Sequence, residues 1–356
     1  MTDNSTLSAY QLDPSALAQL APGEPSYRIN QLREWLYEHP VLRPDQMTNL
    51  PATLRDSLSG RLWPFEVEIE QSADNGRTRK WLFRAPDGAS IEAVLMGYRK
   101  RTTLCISSQA GCAMGCTFCA TGQFGFERHL DAGEIVAQVA YANAALRQHP
   151  LTDSPNRVTN VVFMGMGEPL ANYDNVRESL YRMIDVIDMA ARSVTVSTVG
   201  VVPGIRKLAD EPWQVSLAIS LHAADDALRT SLIPLNKRYP LDELIDAGLY
   251  FFRKTGRRIS IEWTMMDGVN DSPDQASKLA RIAAQLSAHI NVIALNPTPL
   301  TEHQRPSRMG IDEFMSELSR FGANATFRET RGQEIDAACG QLRVRSATQK
   351  HKGKET

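Results

Sequence analysis

The chain has 356 residues, 42% of them hydrophobic, and a formal net charge of −2 at pH 7. This composition allows a sizeable core and excludes a surface that is basic throughout, so any nucleic-acid contact has to come from local basic patches. The N-terminus lacks a basic region followed by an apolar block, and no apolar run approaches the ~18–20 residues of a membrane span. With five cysteines, an odd number, these features predict a cytoplasmic protein without a disulfide framework.

Residues 1–64 are predicted to form a small helical accessory domain. In "SYRINQLREWLYEH" the apolar residues Ile29, Leu32, Trp35 and Leu36 recur at spacings of three and four, which is typical of an amphipathic helix. The following "DQMTNLPATLRDSLSGRL" predicts a loop and a second helix. By pattern alone, these helices build an ordinary core.

Residues 65–97 are predicted to form an antiparallel β-meander that links this domain to the rest. The stretches "EVEIE", "RKWLFRA" and "SIEAVLM" alternate with period two, and turn formers in "ADNG" and "APDG" separate them. Glu92 lies in the third stretch, and the alternation alone predicts that it faces solvent.

Residues 98–332 alternate between strand-like and helix-like stretches, which predicts an α/β fold with parallel βα units. The predicted strands are "TLCISS", "VTNVVFMG", "SVTVSTVG", "QVSLAISLH", "RISIEWTMM", "HINVIALNP" and "ATFRET". Four helices are predicted in "LDAGEIVAQVAYANAALRQ", "YDNVRESLYRMIDVID", "LDELIDAGLYFFRKTG" and "SPDQASKLARIAAQLSA". The length fits an incomplete (β/α)6 barrel or an open doubly wound sheet, and both bind ligands at the carboxyl ends of the strands.

Three of the five cysteines lie within eight residues, Cys112, Cys116 and Cys119, in the spacing C-x3-C-x2-C. Thiolates are metal ligands, but structural zinc takes four ligands, commonly from two C-x2-C pairs, and no second pair is present. His129 is a possible fourth ligand at an unusual spacing. A [4Fe–4S] cluster held by three cysteines would keep one iron open for chemistry. Zinc and buried free thiols remain alternatives.

The cysteine spacing, with the aromatic Phe118 before the last cysteine, resembles the radical S-adenosylmethionine (radical-SAM) signature. That resemblance implies a [4Fe–4S] cluster whose open iron binds the amino and carboxylate groups of S-adenosylmethionine (SAM). It also implies SAM-binding residues at successive strand ends. The matching residues are Gly167 and Glu168 in "GMGEP", Ser197, then Ser220, Leu221 and His222 in "AISLHA", and Asn296 in "IALNP". Each of these residues, taken alone, also fits an ordinary turn, helix cap or strand end.

A closer resemblance covers residues 27–342. The motifs "TLCISSQAGCAMGCTFCATGQFGFERHL", "VVFMGMGEPL", "STVGVVPGI", "ISLHA", "WTMMDGVND" and "TRGQEIDAACGQL" are similar to those of the RlmN/Cfr family of radical-SAM RNA adenosine methyltransferases. The resemblance implies rRNA and tRNA as partners, RNA contact by residues 1–64, and a reducing partner such as flavodoxin or ferredoxin. "WTMMDGVND" and "GQFGFERHL" favour the RlmN branch, which methylates C2 of adenosine, over the Cfr branch, which methylates C8.

The resemblance also implies three catalytic roles. Cys339 would accept a methyl group from one SAM, and a second SAM would activate that methyl for transfer. Glu92 would remove the proton of the ring carbon, and Cys105 would release the product by forming a disulfide with Cys339. Residues 333–356 would then be a mobile segment that carries Cys339 and ends in a charged tail. The alternatives are C8 methylation, a non-catalytic zinc and RNA-binding module, and methylthiolation, which needs a second cluster and more cysteines.

Local basic patches provide the candidate RNA contacts. Each could equally be an ordinary solvated surface, because arginine and lysine are common at exposed helix ends. The patches are residues 98–101, Lys237 with Arg238, residues 253–258, and Arg328 with Arg331 and Arg343.

Overall fold

The computed structural model describes residues 7–298, 301–328, 331–338 and 340–342. Ten strands form one sheet in the order β1-β2-β3-β4-β7-β8-β9-β10-β11-β12, and β5 pairs with β6 in a small second sheet. The strands are β1 Glu66–Ala73, β2 Thr78–Arg84, β3 Ser90–Tyr98, β4 Arg101–Cys105, β5 Gln109–Gly111, β6 Phe126–His129, β7 Asn160–Phe163, β8 Val194–Thr198, β9 Ser216–Ser220, β10 Ser260–Met265, β11 His289–Ala294 and β12 Ala325–Arg328.

Ten α-helices are present in the described part of the chain. They are α1 Ser26–Arg33, α2 Ala52–Ser57, α3 Ala120–Gln123, α4 Ala132–Gln148, α5 Tyr173–Tyr181, α6 Val202–Ala209, α7 Asp226–Leu232, α8 Leu241–Thr255, α9 Pro273–Gln285 and α10 Arg308–Arg320. Among these helices none is both long enough and apolar enough to cross a membrane.

The parallel half of the sheet runs from β4 to β12. Strands β4, β7, β8, β9, β10, β11 and β12 pair in parallel with their neighbours. All seven strands expected from the sequence are present, and β1 and β12 are the two edges of the sheet. The predicted α/β fold with an incomplete barrel is therefore confirmed.

The antiparallel half consists of β1 to β4, each paired with the next, as the meander pattern predicted. Its burial differs from the alternation, because six of the seven residues of β2 are buried. On one face, the ring of Tyr141 from α4 lies 5.6 Å from that of Trp81. The other face carries polar side chains that are equally buried, including Lys80 at 3% exposure. The polar residues that alternate with apolar ones along β2 therefore do not mark a face that contacts solvent.

The N-terminal region is helical, as the sequence predicted. Helix α1 continues into a π-helical turn, Glu34–Glu38, and buries Leu32 and Leu36. The ring of Tyr10 stacks on Trp63 at 4.9 Å, and Trp63 packs edge-on against Tyr141 of α4. Aromatic packing thus joins the helical region to the face of the meander that α4 covers.

Candidate active site

The three clustered cysteines lie in a loop whose base is the β5–β6 hairpin. The amide of Cys112 donates to the carbonyl of Gly125 at 2.8 Å, and the amide of Cys119 donates to the carbonyl of Cys116 at 3.2 Å. Gly111, with φ of +74°, has to be glycine because a Cβ there would lie 2.1 Å from the Gly125 carbonyl oxygen. All three cysteines line one cavity of about 170 Å³. We call it the inner cavity.

The donor chemistry of the inner cavity fits an iron–sulfur cluster. Burial raises the pKa of Cys112 to about 12 and that of Cys116 well above its usual value, so these thiols need a bound cation to ionise. In the described ranges no three His, Cys, Asp or Glu side chains are grouped to hold a single metal ion. A cubane binds each of its thiolates through a different iron.

His129, the possible fourth ligand, lies on β6 and does not line the inner cavity. Its side chain is exposed, and its Nδ1 lies 3.0 Å from the side-chain nitrogen Nε2 of Gln109. Among the described residues the cavity is lined by three thiols and not by His129, a donor set that fits a cluster with one open iron.

The "GMGEP" turn follows β7 and forms part of the cavity wall. A Cβ on Gly165 would lie 2.6 Å from the carbonyl oxygen of Ile106, and one on Gly167 would lie 2.5 Å from the side chain of Gln109. Gly167 also has a φ of +101°. Both glycines are thus required for the turn to approach the strand end beside the cysteines.

Glu168 is buried in the inner cavity and is held by backbone amides. Its Oε1 accepts from the amide of Leu170 at 3.0 Å, and its Oε2 accepts from the amide of Val199 at 2.9 Å. Burial raises the pKa of Glu168 to about 7, although these hydrogen bonds oppose the rise. A carboxylate fixed in this way can accept further hydrogen bonds from an amino group.

Ser197 and Ser220 line the inner cavity from the ends of β8 and β9, with their hydroxyl oxygens 3.4 Å apart. His222 also lines it and has a φ of +56°, and its Nδ1 accepts from the amide of Thr264 at 2.8 Å. Burial, together with the nearby positive charge of Arg229, lowers the pKa of His222 to about 3. The imidazole is therefore neutral, and Nε2 carries the proton.

Leu221 and Asn296 are placed differently from the other predicted SAM-binding residues. Leu221 is buried and does not line the inner cavity; its amide donates to the carbonyl of Glu262 at 3.1 Å. Asn296 lines a second cavity of about 240 Å³, which also contains Cys105. We call this second cavity the outer cavity. The two cavities share Met164, Ile293 and Arg328 as lining residues.

Cys105 and Glu92 lie on neighbouring strands next to the outer cavity. Cys105 ends β4 and is paired with Val94 of β3. Glu92, two positions from Val94, shares a face of β3 with Met96, which lines the outer cavity. Glu92 is 2% exposed and forms an ion pair with Lys80 at 3.3 Å. The solvent-facing position that alternation predicts for Glu92 is wrong, because β3 is covered on both faces.

The C-terminal segment, residues 331–338 and 340–342, lies over both cavities. Ala338 lines the outer cavity, and Gly340 lines the inner one. The carbonyl of Gly340 accepts from the amide of Ala120 at 2.8 Å, just after Cys119. Cys339 and Arg343 lie outside the described residues.

Sequence reasoning missed two buried charged residues at this site. Arg229 of α7 donates to the side-chain oxygen of Asn236 at 2.7 Å and to the carbonyl of Leu221 at 3.2 Å, which ties together the loops after β9 and α7. Glu262 of β10 lines the inner cavity; its Oε1 accepts from Asn291 at 2.8 Å, and its Oε2 has no hydrogen-bond partner among the residues that the structure describes. A charged residue inside the apolar strand "SIEWTM" was the available signal for Glu262.

The basic patches fall on different edges of the molecule. Arg101, Arg328 and Arg331 line the outer cavity. Two guanidinium groups lie over the ring of Tyr98, that of Arg101 at 4.4 Å and that of Arg331 at 4.1 Å from the ring centre. Residues 253–258 span the C-terminal end of α8 and precede β10, so they lie at the opposite, amino edge of the sheet.

Comparisons with known proteins identify the family. The model of the Radical SAM superfamily matches residues 106–280. The chain is 47% identical over 346 residues to a probable dual-specificity RNA methyltransferase RlmN of Chloroflexus aurantiacus, covering 94% of this chain and 92% of the relative. The chain belongs to the RlmN family. A protein of the same name from Mycolicibacterium smegmatis is 47% identical, with 90% of each chain covered.

A solved structure supports the RlmN-family assignment. The crystal structure of a radical SAM methyltransferase from Sphaerobacter thermophilus matches with a TM-score of 0.88 and 46% identity, covering 95% of this chain and 99% of that one. As a member of the RlmN family, this chain is a radical-SAM methyltransferase whose cofactors are a [4Fe–4S] cluster and SAM. The three-thiol donor set of the inner cavity fits that cluster.

Proposed function

We propose that the chain methylates C2 of an adenosine in large-subunit rRNA and of the adenosine next to the anticodon in tRNA. The observation that carries this proposal is the pair of adjoining cavities. The inner one holds the three cysteines and the outer one holds Cys105, and Arg328 belongs to the walls of both. The relatives' name, dual-specificity RNA methyltransferase, supports RNA as the substrate class.

In this proposal, residues of the inner cavity hold the two cofactors. Cys112, Cys116 and Cys119 bind three irons of the cluster. Glu168 accepts hydrogen bonds from the amino group of SAM, while the hydroxyls of Ser197 and Ser220 contact the polar parts of the same molecule. The neutral His222 adds a hydrogen-bond donor at Nε2 without adding a charge. When bound, the cluster and SAM supply the methyl group, the radical that removes a hydrogen atom from it, and the acceptor for one electron.

A protein-bound methyl carrier is needed because C2 of adenine lies between two nitrogens and is a poor nucleophile. We assign the carrier role to Cys339, whose neighbours Ala338 and Gly340 line the outer and inner cavities, respectively. After the S-methyl carbon has lost a hydrogen atom and joined C2, the ring gives up one electron, and Glu92 takes the C2 proton.

Product release uses Cys105. Its thiolate attacks the sulfur of Cys339, which forms a disulfide and breaks the bond between that sulfur and the transferred carbon. The electron pair of the broken bond stays on the carbon, which takes a proton and becomes the methyl group. A thiol reductant then reduces the disulfide. The position of Cys105 in the wall of the outer cavity supports this role.

RNA contact is assigned to the rim of the outer cavity. The guanidinium groups of Arg101 and Arg331 lie against the ring of Tyr98 and place two positive charges beside an aromatic side chain at the entrance. An unstacked base and its flanking phosphates need that combination. We further propose that the helical N-terminal domain, residues 1–64, contacts RNA, and that the enzyme works in the cytoplasm with a flavodoxin or ferredoxin as reductant.

The test is a product analysis. Protein reconstituted anaerobically with iron and sulfide is incubated with SAM, a reductant, and unmodified rRNA fragment or tRNA, and the RNA is digested to nucleosides. We expect 2-methyladenosine from both RNAs and a mass increase of one methyl on the peptide that contains Cys339. Finding 8-methyladenosine would show that the chain catalyses the Cfr reaction instead. Finding zinc and no iron in the protein would support the non-catalytic alternative.

A further inference from the structure

Lys80 is a buried lysine that the proposed reaction does not yet use. It lies on β2 with its side chain 4% exposed, and its ammonium group is 3.3 Å from Oε1 of Glu92, which is itself 3% exposed. The same ammonium donates to the backbone carbonyl of Asp336 at 3.3 Å. One positive charge thus contacts both the carboxylate that we assign as the base and the C-terminal segment.

Stability alone does not explain this arrangement. Burying an ion pair costs the desolvation free energy of two charges, so replacing such a pair by apolar residues often leaves stability unchanged or increases it. A lysine is well suited to a dual contact, since its ammonium carries three donors on a flexible stem and can serve a carboxylate and a carbonyl at once. The pair is therefore better explained by a positioning role than by a contribution to the core.

The register of the meander places the pair next to Cys105. Lys80 is paired with Val94, and Val94 is in turn paired with Cys105 on the next strand. Glu92 lies two positions from Val94 on the same face of β3. The ammonium, the carboxylate and the thiol thus occupy three adjacent strands on the face that the C-terminal segment covers.

The C-terminal segment also contacts this face at other points. The amide of Gly332 donates to Oδ2 of Asp74 at 3.0 Å, and a Cβ on Gly332 would lie 3.2 Å from the Thr78 side chain. Arg331 donates to the carbonyl of Gly97. Among these contacts, the one from Lys80 to Asp336 also involves a partner of Glu92, so it can couple the position of the segment to that of the carboxylate.

We propose that Lys80 is a positioning residue that fixes the carboxylate of Glu92 and residues 331–338 relative to each other. This inference rests on the proposed function, because it takes Glu92 as the base. Without the ammonium, the carboxylate loses its fixed direction and the segment loses an anchor. Proton removal from the RNA-bound carbon then slows, and the covalent protein–RNA adduct accumulates.

The first experiment compares full-length holoenzyme with Lys80→Met, Lys80→Arg and Glu92→Gln variants in single turnovers on a tRNA transcript. We expect Lys80→Met to release methylated tRNA about 10²-fold more slowly and to retain an adduct on denaturing gels, as Glu92→Gln does. Lys80→Arg keeps the charge and should recover part of the rate. The matched control is Arg79→Met, on the opposite face of β2, where Arg79 pairs with Glu70 at 3.5 Å. It should release product at the wild-type rate.

Hydrogen exchange gives a readout that does not depend on activity. Residues 331–338 should exchange faster in Lys80→Met but not in Glu92→Gln, which keeps the contact to Asp336. Because removal of one partner can unfold the protein, the double variant Lys80→Met with Glu92→Gln provides a neutral pair. It should also show faster exchange at 331–338.

The outcomes separate this inference from the proposed function. If wild-type protein yields no methylated adenosine, the proposed function fails. If wild type is active and Lys80→Met releases product as fast as Arg79→Met does, the positioning role is overturned. Unchanged hydrogen exchange at 331–338 in Lys80→Met and in the double variant Lys80→Met with Glu92→Gln would likewise overturn the contact between Lys80 and the segment.

Discussion

The two halves of the main sheet bear their functional side chains in different ways. In the parallel half, Glu168, Ser197 and Ser220 come just after or at the end of β7, β8 and β9, and all three line the inner cavity. In the antiparallel half, Glu92 and Lys80 lie within β3 and β2, and they are buried beneath residues 331–338. The order of the strands places the first group. The second group is covered by a segment whose Asp336 lies 256 positions from Lys80 along the chain.

This difference shows what fixes the positions of the functional side chains in each kind of site. Parallel strands connected through helices bring their carboxyl ends to one edge, so a ligand site there follows from the order of the strands. A meander offers only a face, and that face becomes a site when another segment excludes water from it. We therefore expect the parallel half to retain its cofactors when the meander is altered. We do not expect the site on the meander to keep its function when the parallel half is altered.

The largest expected effect is Cys116→Ala in the inner cavity. Loss of one of three thiolates leaves two ligands for the cluster, so iron content and product formation should both fall to background. Iron analysis and the visible absorption of anaerobically reconstituted protein measure this. Cys105→Ala, in the outer cavity, is the control and should bind iron like wild type; equal iron loss in both variants would contradict the separation of the two cavities.

Cys105→Ala itself should stop the reaction after the carbon–carbon bond has formed. Without the resolving thiolate, the bond to Cys339 persists, and a covalent protein–RNA adduct should accumulate while released product falls at least about 10²-fold. Denaturing gels with labelled tRNA detect the adduct. In the double variant with Cys339→Ala the adduct should disappear, and an adduct that persists there would exclude Cys339 as the carrier.

The sequence predicted much of the parallel half because its signals are local. The radical-SAM resemblance pointed to Gly167, Glu168 and Ser197 at or after the ends of apolar strands, and the structure gathers these residues around one cavity. Glu262 was not identified because its carboxylate lies within a strand and not at a strand end, and its one signal was a charge inside an apolar stretch. The covered face of β2 was likewise unpredictable, because the alternation of polar and apolar residues is the same whether water or residues 331–338 lie above it.

Glu168→Gln should weaken SAM binding about 10- to 100-fold, because one charge-assisted hydrogen bond is lost. For wild type, the pKa of about 7 for Glu168 gives the pH dependence a definite sign. The ionised carboxylate, which in the proposed function accepts from the amino group of SAM, dominates above pH 7, so SAM affinity should fall about tenfold per pH unit below it.

Equilibrium binding of SAM to cluster-loaded protein, measured over about three pH units centred on about pH 7, tests this dependence. His222 should add no transition, since its pKa of about 3 keeps it neutral throughout. Glu168→Gln is the control and should bind SAM with little pH dependence. A wild-type affinity that does not change across the range would argue against contact between Glu168 and the amino group.

The smallest expected effect concerns the rim of the outer cavity. Arg101 is exposed and stacks on Tyr98, so Arg101→Ala should weaken tRNA binding a few-fold and reduce the slope of log affinity against log salt by about one. Arg253 is also exposed but lies near the end of α8, at the amino edge of the sheet. Arg253→Ala is therefore the matched control and should leave both quantities unchanged. If the two variants changed the salt slope equally, the RNA would have to contact both edges of the sheet. The rim of the outer cavity could then not be assigned as the specific RNA contact.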